Sequence, residues 1–255
     1  MEYIIISAVA LGASLLTFFS GFGLGTILTP FFILFFPIEV AIALTGVVHF
    51  LNNIFKLSLT GKNINPEVFL RFGIPAFFAA FVGAVLLSQL GTQNELLTWN
   101  DGRFRITILK LILAVLMIFF ALFELIPYFK NLSFDKKYLS LGGILSGFLG
   151  GFSGHQGALR SAFLLRYGLQ KESFIATGVA IACVIDITRL SVYYRQFLAV
   201  NLWQHWDIIA VATLAAFIGA YFGNKLLAKA TLIHVQKIVA IVLFSIALLL
   251  GLGII

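Results

Sequence analysis

Ser20-Gly21-Phe22-Gly23-Leu24-Gly25-Thr26 and Gly150-Gly151-Phe152-Ser153-Gly154-His155-Gln156-Gly157 are two glycine-rich interruptions of a strongly apolar chain. Gly25 and Gly157 stand 132 positions apart, and at that offset Pro37 meets Leu169 and Thr45-Gly46-Val47 meets Thr177-Gly178-Val179. Further on, Ala79-Ala80-Phe81-Val82-Gly83-Ala84 corresponds to Ala215-Ala216-Phe217-Ile218-Gly219-Ala220, four residues later than that offset. Lys110 with its apolar run lies over Lys237 with its own, at a spacing of 127. The chain reads as two repeats, 1–132 and 133–255, within one membrane domain. A duplicated apolar unit with broken helices is the sequence mark of a secondary transporter.

Composition fixes the class. Apolar residues make up 61% of the 255, charged residues 11%, and mean hydropathy is +1.06, outside the range of soluble domains. The net charge of +7 sits in loops between apolar segments, where anchoring at the membrane surface accounts for it and nucleic acid need not. The one cysteine, Cys183, forms no internal disulfide and reads as a small buried residue. Met1-Glu2-Tyr3 lacks a basic leader region, so the first helix is expected to be retained.

Ten apolar segments follow, at 3–19, 25–36, 39–60, 66–90 and 106–128, then 138–150, 157–168, 171–195, 205–229 and 232–255. A helix needs about 20 apolar residues to cross the hydrocarbon core, and the second segment of each half has only about 12. Each opening pair is therefore expected to be a helical hairpin that enters the membrane, breaks at its glycines and returns, followed by three spans. An odd number of crossings per repeat turns the second copy upside down. The expected fold is an all-α polytopic membrane protein of two inverted-topology repeats.

Ten loop cations (Lys62, Arg71, Lys130, Lys136, Lys137, Arg166, Lys171, Lys225, Lys229, Lys237) fall on one side, against Arg103, Arg105, Lys110 and Arg195 on the other. That bias puts the first group in the cytoplasm and both termini outside, in a plasma (inner) membrane. Trp99, Trp203 and Trp206 fall at expected interfaces.

Glycine lets a ligand approach backbone amides closely, and broken backbone at membrane depth must face protein or water. With hairpins entering from opposite faces, the N-terminal ends of both short helices meet at mid-membrane, where their amides and positive dipole ends suit an anion. The alternative is that the glycines serve helix packing alone. His49, Asn52, Asn53 and Lys56 follow i, i+3, i+4, i+7 spacing and share one helical face. Asp186 and Arg189 lie on the corresponding helix of the second half, one turn apart, and either neutralise each other or serve coupling and gating with His49. Lys56 either faces the site or snorkels to the cytoplasmic interface. Arg160, in the first turn after the second break, offers a planar fork for an oxyanion. The expected binding residues are Gly23, Gly25, Thr26, His49, Asn52, Asn53, Ser153, Gly154, His155, Gln156, Gly157 and Arg160.

The run Gly21 to Pro30 resembles the glycine-rich, Pro-ending motif that the sulfite exporter TauE/SafE permeases carry twice, and the resemblance extends over nearly the whole chain. It implies a permease for sulfite, sulfonates and related small anions. In the second copy Ala162 replaces Pro30, and His155 and Gln156 interrupt the glycines.

Two rivals belong to other classes. A passive anion channel shares the same site chemistry. A rhomboid-like serine protease would use Gly151-Phe152-Ser153-Gly154 and the His49 to Asn53 spacing, but His205 and His234 sit at segment ends and Asp186 has no partner histidine in the sequence reading. The chain contains no GxxxxGK[ST] string, so ATP hydrolysis is not expected of it. The expected partners are a small anion, the lipid bilayer and a coupled proton or sodium ion; no cofactor, metal or nucleic acid is called for.

Overall fold

A computed structural model describes residues 2–20, 23–90, 95–99, 104–126, 133–199, 202–225 and 233–255. Gly21 and Phe22 of the first break, the junction at 132, and the cations Arg103, Lys130 and Lys229 lie outside the described residues. The described helices are α1 (Glu2–Ser20), α2 (Leu24–Ile33), α3 (Ile38–Thr60), α4 (Pro66–Leu90), α5 (Ile108–Leu125), α6 (Leu139–Ser153), α7 (Gly157–Leu164), α8 (Lys171–Ala199), α9 (Trp206–Lys225) and α10 (Ile233–Gly251), five in each half as the apolar segments predict. In lipid each segment must satisfy its own backbone, which leaves helix as the form for such runs.

Four helices, α3, α4, α8 and α9, contain stretches long and apolar enough to cross a membrane. Buried residues make up 67% and 72% of those stretches in α3 and α8, against 44% and 39% in α4 and α9, so α3 and α8 form the centre. The ten residues of α2 and eight of α7 reach about 15 and 12 Å at 1.5 Å per residue, half or less of a core about 30 Å thick.

The second opening pair folds back on itself. A Cβ on Gly150 of α6 would strike Gln156 just past the turn, and one on Gly142 would strike the ring of Phe163 near the end of α7. In the first pair, Val9, Ala13 and Leu16 of α1 face Ile27, Pro30 and Phe31 of α2 across an apolar cleft. The second break is narrower than expected: Gly150 to Ser153 are helical, and the reversal is confined to Gly154, whose φ of +81° is the left-handed geometry glycine tolerates, and the two residues after it. Gly151 instead serves close packing.

That packing joins the halves. Gly143, Gly147 and Gly151 recur at every fourth position of α6 and lie against the backbone of Phe72, Ala76 and Ala80 of α4, where any Cβ would collide with a carbonyl. Gly83 of α4 meets the backbone of Phe148 and Phe152 on α6, and its repeat mate Gly219 of α9 meets that of Leu11 and Leu15 on α1. Exchanging the two halves turns the α4–α6 contact into α9–α1 and α4–α8 into α9–α3, and returns α3–α8 and α5–α10 to themselves; all six pairs are in contact.

Contacts also sort the helix ends into two sets. On the linker side, Asn65 N donates to Thr177 Oγ1 (2.9 Å), Phe134 N donates to Ala162 O (3.3 Å), and Lys136 lies over the Tyr167 ring. On the terminal side, Tyr3 hydrogen-bonds Asp207, Phe36 meets His205 edge-on, and Trp99 Nε1 donates to Leu252 O at 3.0 Å. α1 starts on the terminal side and α6 on the linker side.

One element departs from an all-helical reading. β1 (Glu95–Trp99) and β2 (Phe104–Thr107) pair antiparallel, with Arg105 bridging to Glu95 at 2.9 Å. Thr107, assigned to a helix by the apolar run, instead ends β2 and caps α5, its Oγ1 accepting from Lys110 N.

Candidate anion-binding site

The two breaks meet. A Cβ placed on Gly23 would lie 3.2 Å from His49 Nε2 and 4.0 Å from the amide nitrogen of Gly157, and one on Gly25 would lie 3.3 Å from Gly154 O. A side chain at Gly25 would press on the second tip, and one at Gly23 on the ring of His49.

Beside them lies a cavity of about 30 Å3, lined by Gly23 from the first break, His49, Asn53 and Lys56 of α3, Arg160 and Ser161 of α7, Gly178 of α8, and Thr17 of α1. A water needs roughly 10–15 Å3 by this measure, so the space suits a few waters or a compact anion rather than a bulky organic molecule. Lys56 and Arg160 are 4% and 6% exposed. The snorkelling alternative for Lys56 therefore does not hold: its Nζ reaches inward to Thr17 Oγ1 at 3.3 Å. Lys56 lines the cavity with His49 and Asn53, as their shared helical face allowed, although it is not among the expected binding residues.

Asp186 is the hub behind the cavity. Its Oδ2 takes His49 Nδ1 at 2.6 Å and Asn53 Nδ2 at 3.1 Å; its Oδ1 takes Arg189 Nε at 3.0 Å and Gln156 Nε2 at 3.4 Å. Asp186 thus has the partner histidine that linear distance along the chain concealed, 137 residues away on α3. Gln156 Oε1 accepts from Arg160 Nη1 at 3.2 Å, which continues the network from the cavity wall to the carboxylate. With Nδ1 held by Asp186, the other nitrogen of His49 faces Gly23 and the cavity.

The remaining expected residues divide. Gly25, Thr26, Gly154, Gln156 and Gly157 build the tips without lining the cavity. Asn52 turns away, its Oδ1 accepting from Ser14 Oγ at 3.0 Å. His155 stacks on Phe120, ring centroids 5.3 Å apart, and Ser153 Oγ donates to Leu149 O at 3.1 Å. Ser153 Oγ also lies 3.2 Å from His155 Nδ1, but among the described residues no carboxylate hydrogen-bonds that histidine and nothing links Ser153 to the His49–Asp186 pair, so a Ser-His-Asp triad is not assembled.

Among the described residues the buried Lys, Arg, Asp and Glu side chains are Lys56, Arg160, Arg189 and Asp186, three bases against one acid. That excess of basic side chains makes an anion a candidate ligand for this enclosure.

A protein-family model for the sulfite exporter TauE/SafE matches residues 6–250. The chain belongs to that family. The TauE/SafE match spans both halves and both glycine breaks, and with the long apolar helices it makes this an integral membrane protein of a transporter family. No curated protein and no solved structure matches.

Proposed function

We propose that this TauE/SafE member is a secondary transporter of small sulfur-containing anions, sulfite and sulfonates among them, working by alternating access around the meeting point of the two breaks. The observation that carries the reading is the small cavity walled by Lys56, Arg160 and His49 beside the two tips. Arg160 offers its fork to the oxyanion, Lys56 adds a point charge, and Ser161 lines the same wall. Ser153 has no catalytic role in this reading, and no enzyme activity is proposed.

The inverted-repeat arrangement, with halves 1–132 and 133–255, draws support from the contacts that exchange with the halves and from the opposite sides on which α1 and α6 begin. One half rocks against the other, and the glycine seams of α4–α6 and α9–α1 are smooth enough to slide. The linker side carries the larger share of basic residues and is cytoplasmic, which puts both termini outside the inner membrane. Coupling runs through His49 and Asp186: a proton is the coupled ion, with sodium the competing choice. Around His49 stand Asp186 and Arg189 from α8, Arg160 from α7 and Gln156 just before it, and Asn53 and Lys56 from its own helix.

The test is counterflow of labelled sulfite in proteoliposomes against sulfonates, carboxylates and inorganic anions. Saturable exchange supports the reading. Linear flux that grows with concentration identifies a channel, and exchange of cations overturns it.

A further inference from the structure

The duplication contains a second guanidinium berth on the closed face of the tips. On the linker side, the glycine of Thr177-Gly178-Val179 makes room for Arg160: a Cβ there would lie 3.4 Å from Arg160 Nε. In the matching triplet Thr45-Gly46-Val47, a Cβ on Gly46 would lie 3.5 Å from Arg189 Cζ. Each repeat's glycine thus accommodates one arginine. Arg160 faces the cavity, whereas Arg189 is 0% exposed.

The fork of Arg189 is only half used. Nε donates to Asp186 and Nη2 stands 2.9 Å from the same oxygen, but among the described residues Nη1 has no hydrogen-bond acceptor. Nη1 points at the second tip, where a Cβ on Gly154 would lie 2.8 Å from it. The next residue, His155, is 0% exposed and its Nε2 also has no partner among the described residues. Arg189 Nη1 is a buried donor that costs free energy without an acceptor, whereas His155 Nδ1 donates to Ser153 O at 3.0 Å, which leaves its Nε2 an acceptor. One turn past Arg189, Tyr193 hydrogen-bonds Gly151 O and seals the terminal side.

Lys56 lies 11 residues after Thr45, and Arg189 lies 12 after Thr177, nearly the same place in each repeat. The helices run in opposite directions, so Lys56 falls on the linker side of the tips and Arg189 on the terminal side. We propose that Arg189, with Gly46 and Gly154, forms a second anion subsite that binds the same oxyanion class when the protein opens to the terminal side. In the conformation seen here Asp186 occupies half of that fork in place of the anion. The proposal rests on the transport reading above and adds a sided site to it.

The experiment measures anion uptake in proteoliposomes of uniform orientation, with labelled sulfite presented from either face. Arg189→Gln is expected to raise KM from the terminal side by about tenfold to a hundredfold, the loss of charge-assisted hydrogen bonds, and to raise KM from the linker side by a clearly smaller factor. Equal effects from both sides, or none, overturn the subsite while leaving transport standing. Absence of saturable flux in wild type overturns the transport reading and this one with it. Should Arg189→Gln not fold, wild-type protein is treated with phenylglyoxal from each face and Arg189 modification is read by mass spectrometry. Modification from the terminal side that methanesulfonate slows supports the subsite; no modification, or none that the sulfonate slows, overturns it.

Discussion

Asp186→Asn is expected to be the most destabilising single polar change in the protein, and more so than removal of its ion-pair partner. Asp186 accepts from His49, Asn53, Gln156 and Arg189, whereas Arg189 has no other charged partner among the described residues. Neutralising the acid leaves a guanidinium buried at 0% exposure without a counter-charge, a loss of about 3–5 kcal/mol. Arg189→Gln leaves the carboxylate three donors and costs about 1–3 kcal/mol. For a chain of this size about 2–4 °C of melting temperature corresponds to each kcal/mol, so Asp186→Asn should lower the midpoint by about 6–20 °C and Arg189→Gln by distinctly less. The double variant Asp186→Asn/Arg189→Gln carries no stranded charge and should melt above Asp186→Asn alone. The assay is intrinsic-fluorescence melting of detergent-purified protein. Midpoint losses in the double variant equal to the sum of the singles, or Asp186→Asn melting like wild type, would refute the hub.

Arg160→Gln should abolish saturable sulfite counterflow while the protein remains monodisperse on gel filtration, because the guanidinium lines the cavity itself. Lys56→Gln should raise KM by about tenfold with kcat little changed if its charge binds the anion equally in ground and transition states, a split that initial-rate kinetics reads directly. His49→Gln should flatten the dependence of uptake on pH, since His49 carries the coupled proton in this reading; an unchanged pH profile would remove His49 from coupling. Gly147→Ala should destabilise by about 1–3 kcal/mol because its Cβ would enter the backbone of Ala76, whereas Gly12→Ala, with open space around it, should leave the midpoint unchanged.

The helices were legible because apolar runs bounded by polar punctuation leave a membrane chain few options, and both short helices showed in their length alone. The reversal at Gly154 was harder to place, since Gly150, Gly151 and Gly154 look alike in sequence; only their partners separate packing glycines from the one in a left-handed turn. The β-hairpin was missed although Asn100-Asp101-Gly102 between Trp99 and Phe104 carries hairpin turn chemistry, because apolar content rather than alternation guided the reading there. At the site, i, i+4, i+7 spacing correctly grouped His49, Asn53 and Lys56, but the same rule included Asn52, which the 100° step per residue turns toward Ser14 of α1. The His49–Asp186 pair joins two halves of the chain, and no local spacing encodes a contact across 137 residues. Thr17 entered the site by fold alone.

The most direct test is to locate the anion. Crystals soaked in selenite, a sulfite analogue with an anomalous scatterer, should show a peak enclosed by Gly23, His49, Lys56 and Arg160. Selenium found only on the outer surface at saturating concentration, or an unchanged cavity with no peak, would contradict the account.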